Sequence, residues 1–146
     1  MRLKILEIEN FGVYRGKRLE FAQSGLQVIY GENEAGKSTL LQLIRDLLFG
    51  FPHISDYASM ASGREVAASC LLSLGNGQEL NVRRRKGRKN TISGAFCESG
   101  ASIDQDEWSR LIEGASPDLF NNVFAFSLSE LTRGQESLAH AKLSEA

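Results

Sequence analysis

The stretch that most constrains this chain is Gly31-Glu32-Asn33-Glu34-Ala35-Gly36-Lys37-Ser38-Thr39. It satisfies the P-loop pattern G-x-x-x-x-G-K-[ST] at every fixed position. Leu26-Gln27-Val28-Ile29-Tyr30 before it is a short apolar run suited to a buried strand. After it, Leu40, Leu41, Leu43, Ile44, Leu47 and Leu48 recur at helical spacing. Strand, glycine loop and helix are what the motif needs, because its chemistry is mainly backbone chemistry. Gly31 and Gly36 let successive N–H groups turn inward toward a polyphosphate. A helix opening near Lys37 adds unpaired N–H groups and the positive end of its dipole. Lys37 is expected to reach the β- and γ-phosphates, Ser38 to ligate Mg²⁺, and Thr39 to add a contact to the α-phosphate. The motif therefore implies a bound nucleoside triphosphate, with Mg²⁺ as its companion ion.

At 146 residues the chain is long enough for one domain with a core of its own. A net charge of −1 supplies no global field for nucleic acid, so any such argument has to be local. Cys70 and Cys97 lack C-x-x-C spacing and fit ordinary packing residues of a reduced, cytoplasmic protein. No apolar run approaches the roughly 18 residues of a membrane span. Met1-Arg2-Leu3-Lys4-Ile5 alternates like a strand and lacks a signal-peptide core.

In chain order, a half-buried strand up to Asn10 is expected, then a turn or loop from Phe11 to Gly16, then a returning strand from Lys17 to Phe21. Phe49-Gly50-Phe51-Pro52 should stop the P-loop helix, and a surface loop from His53 to Gly63 should follow. Strands are expected over Glu65–Leu74, Gln78–Arg85 and Thr91–Glu98, making residues 65–98 an antiparallel β-subdomain. Gly75-Asn76-Gly77 joins the first two as a hairpin. Asp104 with Glu107 reads as a helix cap, and Trp108, Leu111 and Ile112 as the apolar face of that helix. Ser116-Pro117 should open another helix and Asn122–Phe126 form a buried strand. Residues 129–146 are polar with scattered leucines and read as the approach to a coiled coil, cut at Ala146.

Two antiparallel strands before the P-loop are unusual. Ile8-Glu9-Asn10-Phe11, Leu19-Glu20-Phe21 and Val28-Ile29-Tyr30-Gly31, in that order, resemble the N-terminus of the SMC/SbcC/RecF group of ABC-type ATPases. The loop Gly-x-Asn-Glu-Ala-Gly-Lys-Ser-Thr is closer still to the YhaN-like AAA-family ATPases, SbcC-like proteins of bacteria. Arg83-Arg84, Asn122–Phe126 and Gly134-Gln135-Glu136-Ser137-Leu138-Ala139 extend the likeness over nearly the whole chain.

The resemblance implies an N-terminal lobe, residues 1–146, with a mainly parallel α/β core and the β-subdomain. A C-terminal lobe beyond a coiled coil would carry the ABC signature, the Walker B carboxylates and the switch histidine. It also implies an ATP-sandwiched dimer of two heads, hydrolysis that needs the C-terminal lobe, and action in DNA metabolism with DNA and a nuclease subunit as further partners. No stretch here has the Walker B form, since Val123–Phe126 leads into Ser127. Leu72–Gln78 superficially resembles the signature, but it lies on the hairpin rather than at a helix start. By resemblance, Asn33 faces the γ-phosphate, Glu34 and Ala35 belong to the nucleotide loop with Glu32 and Glu34 turned outward, and Arg15 and Tyr14 lie near phosphate and base. Ser127 stands where relatives place a water-positioning glutamine, with Glu130 and Gln135 nearby.

Arg83, Arg84, Arg85, Lys86, Arg88 and Lys89 put six cations in seven residues. Such density suits a phosphate backbone, and the competing reading is a turn whose arginines pair with nearby acids. Alternation puts Arg83 and Arg85 on one face and Arg84 on the other. His53 and His140 have no metal-ligand companions and read as surface residues. Two other functions share the loop: a structural ATP-dependent dimerisation module of SMC type, and a self-contained P-loop kinase or GTPase. The absence of a second carboxylate motif counts against the latter.

Overall fold

The computed structural model describes residues 1–54, 57, 65–87, 91–112 and 115–120. The chain opens with β1 (Arg2–Phe11) and β2 (Tyr14–Glu20), paired antiparallel from Ile5↔Glu20 to Phe11↔Tyr14. The connection is two residues, Gly12 and Val13, with Gly12 at φ 55°. Glycine first in a two-residue turn suits the II′ hairpin, whose twist matches its strands. The turn is thus tighter than the expected Phe11–Gly16 loop, and it places Tyr14 and Arg15 in a strand.

After the P-loop comes α1 (Lys37–Phe49), which ends at Gly50, where the amide donates to the Asp46 carbonyl at 2.8 Å. β3 (Ala67–Ser73), β4 (Glu79–Arg85) and β5 (Thr91–Phe96) follow, then a two-residue β6 (Ser102–Ile103) that sequence pattern did not indicate. Order in the sheet is β2-β1-β3-β4-β5-β6, and each neighbouring pair is antiparallel. The described sheet is therefore antiparallel throughout, and the mainly parallel core is not among the described residues. The Asn-Gly hairpin forms as expected, with Gly77 at φ 87°. α2 (Gln105–Leu111) is capped by the Asp104 carboxylate, which accepts from the amides of Asp106 and Glu107 at 3.0 and 2.9 Å.

Period-two alternation sorts the sheet into two faces. Leu6, Ile8, Ala68, Cys70, Leu72, Leu80 and Val82 form one buried cluster with Leu40, Leu43 and Leu47 of α1, Ile103 and Trp108. The other face is polar and laced with ion pairs between strands: Lys4 with Glu79, Arg18 with Glu7, and Arg83 with Glu9. Burial of the apolar face against α1 is what fixes the P-loop helix to the sheet.

One expected strand is absent. Leu26–Tyr30 pairs with no described strand, and Leu26, Val28, Ile29 and Tyr30 are 91%, 72%, 52% and 91% exposed. An apolar run becomes a strand only where a neighbour accepts its ladder and covers its side chains, and the described residues supply neither.

The chain divides into two units, residues 1–112 and 113–146. In the second, α3 (Pro117–Leu119) has Pro117 in its first turn and the Ser116 hydroxyl accepting from the Leu119 amide at 3.0 Å. The expected strand Asn122–Phe126 and the segment 129–146 lie outside the described residues.

Candidate nucleotide site

Gly36 is the residue on which the loop turns into α1. Its φ of 94° is left-handed, and no side chain caps the helix behind it. The Leu40 amide is the first to bond back, to the Gly36 carbonyl at 2.9 Å. An uncapped helix start leaves the preceding N–H groups directed at whatever lies in the loop. No acidic side chain stands in the first turn to compete with a phosphate.

Upstream, Glu34 holds φ at 68°, the only positive value among the described non-glycine residues. A left-handed residue with a Cβ costs about 1 kcal/mol and persists where its surroundings dictate the turn. The Ala35 amide donates to the Glu32 carbonyl at 3.2 Å, closing the loop's tip. Lys37 lies back over the loop, Nζ donating to the carbonyls of Gly31 and Glu32 at 2.8 and 2.6 Å. Residues 31–35, Lys37 and Ser38 are exposed, with Asn33 among them, whereas Thr39 is buried at the foot of the loop. A flexible ammonium, a hydroxyl at Ser38 and the amides of a helix start without a side-chain cap are a donor set suited to a polyphosphate and its cation.

The tip of the β1–β2 hairpin packs against this loop, a contact that the sequence did not indicate; the family resemblance had placed Tyr14 and Arg15 only near base and phosphate. Gly12 faces Thr39, and Val13 and Tyr14 face Gly36. The Tyr14 hydroxyl stands 3.5 Å from the Ala35 carbonyl. Arg15 braces the turn, Nη1 donating to the carbonyls of Gly12 and Tyr14 at 2.7 Å each. Both bonds lie within its own hairpin. Phe11 anchors the hairpin from inside, its ring stacked on Tyr57 at 5.4 Å and tilted against Phe51 at 5.9 Å.

The other end of α1 is held by two buried side chains. Arg84 donates Nε to the Leu47 carbonyl at 2.9 Å, and Trp108 donates Nε1 to the Leu48 carbonyl at 2.9 Å. Arg84 is 1% exposed, and burial pulls its pKa down to about 10. The expected surface role of Arg84 is thereby corrected. It lies on the inner face with Leu80 and Val82, and its charge satisfies helix carbonyls. Its sequence neighbours are engaged on the outer face. Arg83 makes a two-point pair with Glu9 at 2.6 and 2.9 Å, which holds the Glu9 carboxyl below the usual range. Arg85 approaches Glu65 at 3.5 Å. Lys86 is half-buried, and Arg88, Lys89 and Ser127 lie outside the described residues.

The family described as an AAA domain matches residues 1–145 of this sequence. The chain belongs to that AAA-domain family. It is 29% identical to the uncharacterized protein YhaN of Bacillus subtilis (strain 168) over 130 residues, which are 88% of this chain and 13% of that protein. The AAA-domain chain thus spans a small part of that relative's length. Its fold resembles the ATP-bound recombination mediator protein RecF of the RecFOR pathway, with a TM-score of 0.54 and 23% identity, over 72% of this chain and 28% of that one. The resemblance read from the loop and the strands ahead of it, to YhaN-like and RecF-type ATPase lobes, is therefore found in sequence and in fold. Among the described residues no helix is long and apolar enough to cross a membrane.

Proposed function

We propose that this chain is the nucleotide-binding lobe of an SbcC/YhaN-like ATPase head, taking Mg·ATP in the loop from Gly31 to Thr39. The observation that carries the reading is the uncapped start of α1 behind a left-handed Gly36, with Lys37 folded over the loop carbonyls. Loop amides and Lys37 would hold the phosphates, and Asn33 would face the terminal one. Ser38 would take the Mg²⁺ that screens their charge. Bound Mg²⁺ would supply electrostatic relief at the β- and γ-oxygens; this chain's part is to bind and orient.

Hydrolysis would need a carboxylate to activate water, and that group would come from a C-terminal lobe. The exposed run Leu26–Tyr30 supports such a division, because a second lobe would give it strand neighbours that it lacks among the described residues and complete a parallel core. Two heads closing on two nucleotides would then be the working unit in DNA metabolism. Contact with DNA would fall to Lys86, Arg88 and Lys89, with Arg83 and Arg85 recruited only at the expense of their pairs with Glu9 and Glu65.

The test is calorimetric titration of Mg·ATP into the full-length protein, beside Lys37→Ala, with turnover measured on the same samples. Binding and turnover that Lys37→Ala lowers by a hundredfold or more support the reading. Undiminished binding by the variant overturns it.

A further inference from the structure

The P-loop is pinned on two sides, and only one of them belongs to the motif. On the first side Lys37 Nζ bonds the carbonyls of Gly31 and Glu32. On the second the hairpin tip lies against the Ala35–Gly36 peptide. A Cβ placed on Gly36 would stand 2.8 Å from the Tyr14 hydroxyl, 3.0 Å from Tyr14 Cζ and 3.0 Å from Val13 Cγ2. Tyr14 therefore sits directly over the Gly36 Cα, with its hydroxyl beside the Ala35 carbonyl.

Tyr14 is itself firmly based. It opens β2 opposite Phe11, whose side chain is 1% exposed and stacked on Tyr57. Arg15 Nη1 ties the carbonyl of Tyr14 to that of Gly12 across the turn. The loop, by contrast, is exposed from Gly31 to Ala35 and contains the strained Glu34. A strained, exposed turn keeps one conformation only if neighbours restrain it. The neighbour at the point where the loop becomes α1 is Tyr14.

We infer that Tyr14 is a positioning residue for the phosphate site, its ring holding the Ala35–Gly36 peptide so that the amides opening α1 stay aimed at a polyphosphate. The inference rests on the nucleotide reading above and adds a residue outside the P-loop motif. It makes a distinctive demand. A residue that acts by ordering the loop serves every ligand with a phosphate chain, whether or not a base is attached. A residue that stacks on a base serves ATP alone.

The experiment compares Mg·ATP with inorganic tripolyphosphate, titrated into the full-length protein and into Tyr14→Ala, Tyr14→Leu and Tyr14→Phe. Tyr14→Ala is expected to weaken both ligands by about tenfold and equally. Tyr14→Leu keeps apolar bulk on the hairpin and guards against loss of folding; it should weaken both by about threefold. Tyr14→Phe, which keeps the ring over Gly36, should restore both to within about twofold. If ATP weakens while tripolyphosphate does not, Tyr14 is a base platform and the inference falls. If neither ligand changes in Tyr14→Ala or Tyr14→Leu, the contact is merely structural and the inference falls alone. If the wild-type protein binds neither ligand, the nucleotide reading itself fails.

Discussion

Gly12 and Thr39 meet so closely that a Cβ built on Gly12 would lie 2.5 Å from Thr39 Cγ2. The hairpin turn and the first turn of the P-loop helix are thus in contact through the one residue type that permits it. Gly12→Ala carries two penalties, a left-handed φ of 55° and this overlap. Together they are expected to destabilise the protein by about 2 kcal/mol, read as a lowered urea midpoint. Thr39→Ser removes the offending methyl, so the double variant should recover about half of the loss. No recovery would mean that backbone strain alone sets the cost.

Arg83 and Arg84 are adjacent in sequence and opposite in consequence. Arg84→Met keeps the volume but leaves the Leu47 and Leu48 carbonyls without their guanidinium donor, a loss of about 2 kcal/mol. Arg83→Met removes an exposed pair with Glu9 and should cost less than about 1 kcal/mol. Equilibrium urea unfolding of both variants checks the contrast. Equal midpoints would refute the assignment of Arg84 to the helix end.

The separation of these two arginines was legible in the alternation of β4, which sets Arg84 opposite Arg83 and Arg85. Which face is buried was legible too, since Leu80 and Val82 share the parity of Arg84, whereas the charge density of residues 83–89 by itself suits a surface. The P-loop, the Asn-Gly hairpin and the Asp104 cap were readable because each is a local device with fixed residue chemistry. β6 was not, because two residues carry no periodicity and exist only through pairing with Gly94 and Ala95. The closeness of Tyr14 to Gly36 was likewise hidden, being a distance between segments 22 positions apart in sequence. Leu26–Tyr30 shows the opposite limit: its apolarity was plain, and its partner is not among the described residues.

Asp46 lies in the last turn of α1 at 4% exposure, where burial raises its pKa from 3.8 to about 6. Gln42 donates to Oδ1 at 2.8 Å, and Lys86, Arg45 and Arg84 oppose the shift without cancelling it. Between about pH 4 and pH 6 the folded protein holds this proton and the unfolded chain does not. Stability from this group is therefore greatest below the unfolded pKa and is lost as pH rises through about 6. Glu9, with its lowered pKa, acts in the opposite direction, so the measurement has to be a difference. Urea midpoints of wild type and Asp46→Asn at about pH 4.5 and about pH 7.5 should show the variant gaining relative to wild type at the higher pH. A constant difference across that range would remove Asp46 as the source.

Val28 and Tyr30 test the proposed division into two lobes. Both are exposed, 72% and 91%, on a segment without a strand neighbour among the described residues. If nothing covers them in the working protein, Val28→Lys is a surface change worth less than about 0.5 kcal/mol and without effect on turnover. If a strand of a C-terminal lobe covers them, a lysine there would have to be buried unpaired, at a cost of several kcal/mol to the joined head. The expected outcome is an unchanged urea midpoint for this lobe, together with loss of ATP turnover when the C-terminal lobe is supplied. Tyr30→Phe, apolar and of similar shape, should retain turnover. Full turnover by Val28→Lys would leave the apolar run before the P-loop open to solvent in the assembled protein, and the two-lobed head would lose its support from this segment.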